Sequence, residues 1–185
     1  MSMQRRDFLK VSAAGLALAG LPLRARAAGA KAKVVIVGAG FGGATAAKYI
    51  RMWDPSIEVT LIDREPKFVS CPLSNLVLAG LKTLDDITLT YDALKSKYGV
   101  NVVVDSVTAI DTDKRTVKTA NGSFAYDRLI LSPGIDFRFD QTAGYDEKAQ
   151  QTILHAWKAG PQTLKLRHQV ESMKDGGLIV IGMPL

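Results

Sequence analysis

The sequence predicts an α/β fold organised around a parallel sheet. Three observations predict it. A glycine-rich turn at 38–43 lies between an apolar strand and a small-residue helix, a second strand ends on Asp63, and a later apolar strand ends in Ser-Pro-Gly at 132–134. Strands that alternate with helical patterns in this way are typical of βαβ units, in which the strands run parallel.

The first strand and the turn after it predict a phosphate site. The run Val34 to Val37 is β-branched and ends at a glycine, as is typical of a strand buried on both faces. Gly38, Gly40 and Gly43 then form Gly-x-Gly-x-x-Gly. In this motif the first glycine allows the sharp turn, the second lets the backbone approach a pyrophosphate, and the third lets the next helix lie close to the strand.

The helix and the second strand complete the pattern. Residues 44–52 are predicted to be helical up to Asp54-Pro55, and the free N–H groups and positive dipole end of that helix point at the phosphates. The strand at 57–62 then places Asp63 to accept a hydrogen bond from a ribose hydroxyl. A tight glycine turn without a ligand is the alternative. In this context we expect a Rossmann-like domain that binds a dinucleotide.

The charge of the chain is concentrated at its start. The 185 residues carry a formal net charge of +6, of which residues 1–27 contribute +4 through five basic residues and Asp7, so the remainder carries +2. No basic stripe interleaved with aromatic residues follows in the sequence. We therefore predict no nucleic-acid partner.

The N-terminal segment 1–27 is predicted to be a signal peptide. Gln4-Arg5-Arg6-Asp7-Phe8-Leu9-Lys10 resembles the twin-arginine export signal, Val11 to Leu21 is an apolar run too short for a comfortable membrane span, and Ala25-Arg26-Ala27 fits a cleavage site. An uncleaved membrane anchor is the alternative. This pathway carries folded proteins, so we expect a periplasmic protein whose cofactor is inserted before export. FAD suits that route better than a diffusible NAD, because the periplasm maintains no nicotinamide pool.

The only cysteine of the chain follows the second strand. The connection 64–70 leaves the carboxyl end of that strand, which is the ligand side of an open α/β sheet, and leads to Cys71. Residues 71–80 are predicted to form a short helix with Pro72 in its first turn and Gly80 past its end. A cysteine at a helix start favours the reactive thiolate, whereas the alternative is a small buried hydrophobic residue.

The middle of the chain predicts a β-meander insertion. After a surface helix at 90–97 come short strand patterns at 100–104, 107–110, 115–119 and 123–126, with Asn121-Gly122 as a hairpin turn. The apolar strand 126–131 then ends in Ser132-Pro133-Gly134, which resembles the strand and Ala-Thr-Gly turn of FAD proteins. An ordinary strand and turn would also select Pro-Gly.

The C-terminal third of the sequence is less informative. Residues 135–160 are irregular, 163–173 have amphipathic helical periodicity, and 177–182 read as the first strand of another α/β unit. His168 is expected on a solvated helix face, and His155 has no neighbour at metal-ligand spacing, so we predict no metal site. The predicted organisation is a signal peptide at 1–27, the N-terminal segment of an FAD-binding domain at 28–175, and the start of a second α/β domain at 176–185.

Several of these segments together resemble a known family. Gly38 to Ala47, Asp63, Cys71-Pro-Leu-Ser-Asn75, Ser132-Pro-Gly134 and His155-Ala-Trp-Lys-Ala-Gly160 resemble the flavoprotein subunit of flavocytochrome c sulfide dehydrogenase, of the pyridine nucleotide-disulfide oxidoreductase superfamily. The glycine motif is shared across the superfamily, whereas the Cys71 and His155 segments are more particular. The resemblance implies that Cys71 carries FAD covalently, as a thioether to the 8α-methyl group.

The resemblance also implies the reaction and the partner. Sulfide reduces the flavin with the help of a redox disulfide, and electrons pass singly to the haem of a c-type cytochrome subunit. This sequence contains no Cys-x-x-Cys-His, so the haem would belong to the partner. The candidate cofactor-binding residues are Gly38, Gly40, Phe41, Gly42, Gly43, Asp63, Arg64, Cys71, Asn75, Val107, Ser132, Pro133 and Gly134.

The sequence also departs from the family pattern. The two redox cysteines, and with them the catalytic residues, are expected beyond Leu185, as are the rest of the second α/β domain and the returning FAD segment. The expected fold is thus truncated before the second domain is complete. A non-catalytic FAD-binding fragment is one alternative function, and a sulfide:quinone or NADH-type flavin reductase is another.

Overall fold

The computed structural model describes residues 31–182, so the predicted signal peptide lies outside the described residues. The centre of the fold is a parallel sheet of four strands, which are β1 (Ala32–Val37), β2 (Ile57–Asp63), β5 (Asn101–Val104) and β9 (Arg128–Leu131). They lie in the order β5-β2-β1-β9. The prediction of an α/β fold around a parallel sheet is confirmed.

The central pair of strands forms the core. β1 pairs with β2 in a register that sets Val34 beside Val59 and Ile36 beside Leu61. These four side chains are buried on one face of the sheet, while Val35 and Ile62 are buried on the other. Burial on both faces explains why the two strands read as nearly continuous apolar runs.

Two helices cover the first face. They are α1 (Phe41–Trp53) and α3 (Asp92–Tyr98), which ends at Gly99 in the left-handed conformation. Ala47 of α1 is fully buried against the sheet, and the Arg51 side chain donates to the carbonyl oxygen of Tyr98 at 2.8 Å. The predicted helices at 44–52 and 90–97 are therefore confirmed, and the Arg51 hydrogen bond connects them.

A separate antiparallel meander covers the second face. Its strands are β6 (Val107–Asp111), β7 (Thr116–Thr119) and β8 (Ser123–Ala125), and the hairpin at Asn121-Gly122 is confirmed. Val117 is buried against Val35 and Ile62. The run at 100–104 was expected in this meander, but that expectation is wrong. It forms β5, because its backbone pairs in parallel with β2 from Thr60 to Asp63.

The remaining elements lie after β2 and at the C-terminal end. They are β3 (Lys67–Val69), β4 (Thr88–Thr90), α2 (Ser74–Leu78) and α4 (Pro161–Glu171), with β3 and β4 paired antiparallel and α2 packed on α4. Cys71 does not begin an α-helix as predicted. It begins a 3-10 turn (Cys71–Leu73), and α2 starts three residues later.

The segment predicted as the first strand of a second domain is unpaired in the part of the chain that the structure describes. Residues 177–182 pair with no strand among residues 31–182, and the side chains of Leu178 to Ile181 are between 62% and 85% exposed. Their apolar pattern suits a strand, but a strand forms only when a neighbouring backbone accepts and donates its hydrogen bonds. Among the described residues, no helix has the length and apolar character needed to cross a membrane.

Candidate functional site

The glycine loop lies at the carboxyl end of the parallel sheet, between β1 and α1. Gly38 has φ +94, its N–H donates to the carbonyl oxygen of Ile62 at 2.8 Å, and a Cβ on it would overlap the carbonyl oxygen of Ser132. A side chain is therefore excluded at Gly38 by both conformation and space. The turn after β1 and the turn after β9 meet at this residue.

The other glycines of the loop differ in what excludes a side chain. A Cβ on Gly43 would overlap the backbone carbonyl of Gly38, and a Cβ on Gly42 would lie 2.6 Å from Ser132 Oγ. Gly40 has φ −70, and a Cβ there would meet only the Phe68 ring at 3.6 Å, an ordinary contact. Neither backbone conformation nor protein packing requires glycine at position 40. Its missing side chain leaves the N-terminus of α1 open.

That helix end is suited to an anion. α1 has 13 residues, its first turn contains no acidic residue, and within the described chain no side chain caps it. The first N–H groups of a helix lack intrahelical partners, and the dipole makes this end positive. The Phe41 ring stands at this end, 57% exposed and 4.8 Å from the Phe68 ring in edge-to-face contact. The residues present therefore fit a pyrophosphate group.

Asp63 ends β2 beside the glycine loop. Its Oδ2 accepts from the N–H of buried Ala39 at 2.6 Å, and its Oδ1 accepts from the N–H of Glu65 at 2.9 Å. Each carboxylate oxygen can accept a further hydrogen bond. Asp63 thus fixes the glycine loop, and its oxygens keep the capacity to accept a hydrogen bond from a hydroxyl group.

The turn after β9 brings a second predicted segment to the same edge. The N–H of Ser132 donates to the carbonyl oxygen of Val37 at 2.8 Å, which places Ser132 against Gly38 and Gly42. Pro133 and Gly134 follow and are exposed, and Gly134 has φ +76. Val107 is half-buried at the start of β6, where it packs against the core cluster of Val35, Ile62 and Val117.

Cys71 contacts the segment that contains Trp157. The exposed thiol donates to the carbonyl oxygen of Trp157 at 2.8 Å, across 86 positions of the sequence. The two segments that carry the more particular part of the family resemblance are therefore in direct contact. Asn75 lies four residues after Cys71, and its side chain is exposed on α2.

A charged cluster joins three segments near this contact. Asp136 accepts from Arg64 Nη2 at 2.9 Å through Oδ2 and from Lys158 Nζ at 3.2 Å through Oδ1. The Arg64 hydrogen bond is the main cause that lowers the pKa of Asp136 to about 2, and the Phe137 N–H and Lys158 add to it against the opposing effect of burial. The same pair raises the pKa of Arg64. Asp136 is therefore ionised at any physiological pH.

His155 lies in the same segment as Lys158. Its ring is 4.4 Å from the ring of Phe137, and its buried Nδ1 has no hydrogen-bond partner within the described residues. Burial, and secondarily the charge of Lys158, lowers the pKa of His155 below its usual value. The ring is therefore neutral at pH 7. Across residues 31–182, no group of three or more His, Cys, Asp or Glu side chains could hold a metal ion.

Sequence reasoning missed Asp136 and the carbonyl oxygen of Trp157. Asp136 lies in a stretch without helical or strand periodicity, and a backbone carbonyl has no residue-type signal. One signal was available, since Arg64 directly follows β2 and Asp136 follows β9 by five positions. Residues that follow the carboxyl ends of neighbouring parallel strands emerge at the same edge of the sheet.

Two protein families match parts of this sequence. Residues 32–182 match the pyridine nucleotide-disulphide oxidoreductase family, and residues 2–22 match the signal sequence of the twin-arginine translocation pathway. The second match confirms the predicted export signal, which directs the protein across the cytoplasmic membrane to the periplasm.

The similar proteins include two that act on sulfide by name. The flavoprotein chain of sulfide dehydrogenase [flavocytochrome c] from Chlorobaculum thiosulfatiphilum is 61% identical over 44 residues, which are 24% of this chain and 92% of that sequence. Sulfide-quinone reductase of Aquifex aeolicus is 30% identical over 150 residues, which are 80% of this chain and 34% of that one. The chain thus spans about a third of the length of the Aquifex relative.

A solved structure shows the same fold. The crystal structure of the sulfide:quinone oxidoreductase from Aquifex aeolicus aligns with 75% of this chain and 31% of its own, at a TM-score of 0.61 and 25% identity. The Rossmann-like sheet and the meander are thus those of a flavoprotein oxidoreductase family, and the similar proteins include sulfide-related members. The chain belongs to the pyridine nucleotide-disulphide oxidoreductase family.

Proposed function

We propose that this chain is the FAD-binding part of an exported oxidoreductase that oxidises sulfide and passes electrons to a c-type cytochrome subunit. The observation that carries the proposal is the contact between Cys71 Sγ and the Trp157 carbonyl oxygen. It joins the two segments whose sequences resemble the sulfide dehydrogenase flavoprotein, and the 61% identity to that chain supports it.

The residues at the carboxyl edge of the sheet would hold FAD. The N–H groups at the start of α1 and the open space at Gly40 would take the pyrophosphate, and Asp63 would accept from a ribose hydroxyl. Ser132 to Gly134 and Arg64 would border the dinucleotide at the same edge. When bound, FAD supplies a ring that accepts two electrons and releases them one at a time.

Cys71 would hold that ring covalently. Its sulfur would form a thioether with the 8α carbon. The thiol hydrogen and one methyl hydrogen would leave as two protons, which go to solvent, and two electrons, for which the haem of the proposed cytochrome partner would be the acceptor. A flavin fixed in this way could not be lost to the periplasm.

Acid precipitation of the full chain, produced with ample riboflavin, tests the covalent bond. We expect the precipitate to keep its flavin fluorescence and to show the mass of one attached FAD. The folded Cys71→Ser variant should still bind flavin, but acid precipitation should release all of it into the supernatant. Flavin that is released in full from the unaltered chain would overturn the covalent bond, and a colourless folded chain would overturn FAD binding itself.

A second candidate acceptor is a quinone. The 30% identity to sulfide-quinone reductase over 80% of this chain favours it. The native protein isolated from the periplasm should reduce cytochrome c on addition of sulfide, with each sulfide giving up two electrons to two ferric haems. Reduction of a soluble quinone without reduction of cytochrome c would favour the second candidate and contradict the first.

A further inference from the structure

The geometry points to Asp136 as a positioning residue for the Cys71 thiol. Asp136 holds Lys158 through its carboxylate, and Lys158 is the neighbour of Trp157, whose carbonyl oxygen accepts the Cys71 S–H. The inference concerns the thiol before a cofactor is attached, and its importance rests on the proposed covalent bond to FAD.

Asp136 is itself fixed at a defined place on the sheet edge. Its Oδ2 accepts from Arg64, which directly follows the last residue of β2, and its Oδ1 accepts from the N–H of Phe137 at 3.0 Å. The carboxylate therefore connects a rigid element of the parallel sheet to the Lys158 side chain. We name the three side chains Arg64, Asp136 and Lys158 the charged clasp.

The clasp attaches a segment without regular secondary structure to the edge of the sheet. Residues 153–158 form neither helix nor strand, and Ile153 and Trp157 are 64% and 76% exposed. The described attachments of this segment besides the clasp include the contact of His155 with Phe137 and the hydrogen bond from Gln162 Nε2 to the Lys158 carbonyl oxygen. At its start, Ile153 donates to the Ala149 carbonyl oxygen at 2.8 Å and accepts from Tyr145 Oη at 3.0 Å. The clasp acts next to Trp157, four residues further on, so the position of the Trp157 carbonyl oxygen depends on Lys158.

The clasp positions the segment that contains Trp157 and contributes little to the folding free energy. Its three side chains are about half exposed, at 54%, 53% and 49%, and ion pairs in water contribute little to folding free energy. A hydrogen bond from a thiol to a carbonyl oxygen, in contrast, fixes the direction of the sulfur and occupies its proton. Loss of the clasp should therefore leave the fold intact and free the thiol. Glu65, 4.0 Å from Arg64, is a further charge beside the clasp.

Alkylation of Cys71 tests this inference directly, because the chain contains one cysteine. The full chain is produced in riboflavin-starved cells, so that the thiol is free, and is treated with iodoacetamide at pH 7. The sulfur displaces iodide, and its proton is released to solvent. We expect Asp136→Asn to raise the alkylation rate about two- to tenfold, the range that corresponds to the loss of one hydrogen bond.

Asp140→Asn is the matched control. Asp140 accepts from Arg138 Nη2 at 2.8 Å, but that pair lies within one turn and holds no second segment. This variant should alkylate at the wild-type rate, and Asp136→Glu should restore that rate, because the longer carboxylate can still reach both cations. Thermal unfolding should change little in all three variants. A merely structural role for Asp136 would lower the unfolding temperature instead.

Lys158→Gln is an independent variant, and it tests whether Asp136 acts on the thiol through Lys158. It should raise the alkylation rate as Asp136→Asn does, and the double variant should show no further increase. Equal rates in wild type, Asp136→Asn and Lys158→Gln would overturn the inference, as would an equal increase in Asp140→Asn. These measurements contain no flavin, so their failure is distinguishable from failure of the proposed FAD bond.

Discussion

The carbonyl oxygen of Gly38 occupies the space that a side chain on Gly43 would need. This contact brings the start of α1 against the end of β1 and sets the direction in which the helix leaves the sheet. Gly40, two residues after the first of these glycines, has no such neighbour. Gly43 thus serves helix packing, whereas Gly40 leaves room for a ligand. Substitutions at the two positions can distinguish these two roles.

Gly43→Ala should destabilise the fold, whereas Gly40→Ala should not. A methyl group on Gly43 meets backbone atoms, so we expect a loss of about 1–3 kcal/mol in the free energy of unfolding, as for other overpacked sites. A methyl group on Gly40 meets only the Phe68 ring, at an ordinary contact distance of 3.6 Å, and should weaken FAD binding at the end of α1 roughly tenfold, which is about 1.4 kcal/mol.

Urea unfolding and FAD titration of the two variants measure these effects. A Gly40→Ala variant that binds FAD as tightly as wild type would contradict the assignment of a pyrophosphate to this helix end. A Gly43→Ala variant of unchanged stability would contradict the packing of Gly43 against Gly38.

The effect of Gly42→Ala on the free energy of unfolding should depend on the residue at position 132. A Cβ on Gly42 would lie 2.6 Å from Ser132 Oγ but 3.7 Å from Ser132 Cβ, so only the hydroxyl oxygen obstructs it. In a Ser132→Ala background, Gly42→Ala should stabilise the protein by about 0.5–1 kcal/mol, the usual gain for this change within a helix. In the Ser132 background that gain should be lost. Equal effects in both backgrounds, measured by urea unfolding, would show that Oγ is not the obstacle.

Asp63→Ala should destabilise the chain even without a cofactor. The N–H of Ala39 is buried and loses its acceptor, which costs about 1–3 kcal/mol. Asp63→Asn keeps one acceptor oxygen and should lose about half as much. Thermal unfolding of the flavin-free variants measures both changes. If Asp63→Ala is as stable as wild type and only FAD binding suffers, then the carboxylate serves the ligand and not the loop.

The stability of the fold should decrease as the pH falls below about 6.5, in part because of His155. Burial and Lys158 lower its pKa in the folded state, so the unfolded chain takes up the proton first. The stabilising contribution is therefore present above the unfolded pKa and is lost as the pH falls through the lower folded value. Replacing His155 with Gln should flatten the pH dependence of urea unfolding between pH 7 and 5. The same change at exposed His168 is the control, and an unaltered slope in the His155 variant would contradict this assignment.

The glycine loop could be predicted from the sequence because its requirements are local. The spacing of Gly38, Gly40 and Gly43 fixes a turn and a close helix, and the structure places all three at the predicted strand end. Asp136 was missed, because its role depends on Arg64, 72 positions away, and no periodic pattern surrounds it; its place soon after β9 was the one signal in the sequence.

Two apolar runs differ from the strand pairing expected of them, and the physical reason is the same for both. The composition of a strand indicates that it can pair, but does not indicate which neighbour it pairs with. The run at 101–104 pairs in parallel with β2 although its sequence suits the meander as well. The run at 177–182 has the same apolar character and pairs with no strand among the described residues.

The place of β1 between β2 and β9 has a consequence for biosynthesis. β2 follows β1 closely in the chain, but β9 comes much later: its first residue, Arg128, pairs with Val34, and the Lys33 N–H donates to Asp127, which is 94 positions further along the chain. At ribosomal speeds of about 5–20 residues per second, one edge of β1 waits about 5–20 s for its partner strand. During this interval the nascent chain exposes an unpaired apolar edge, so chaperones that shield such edges should associate with it before translation ends.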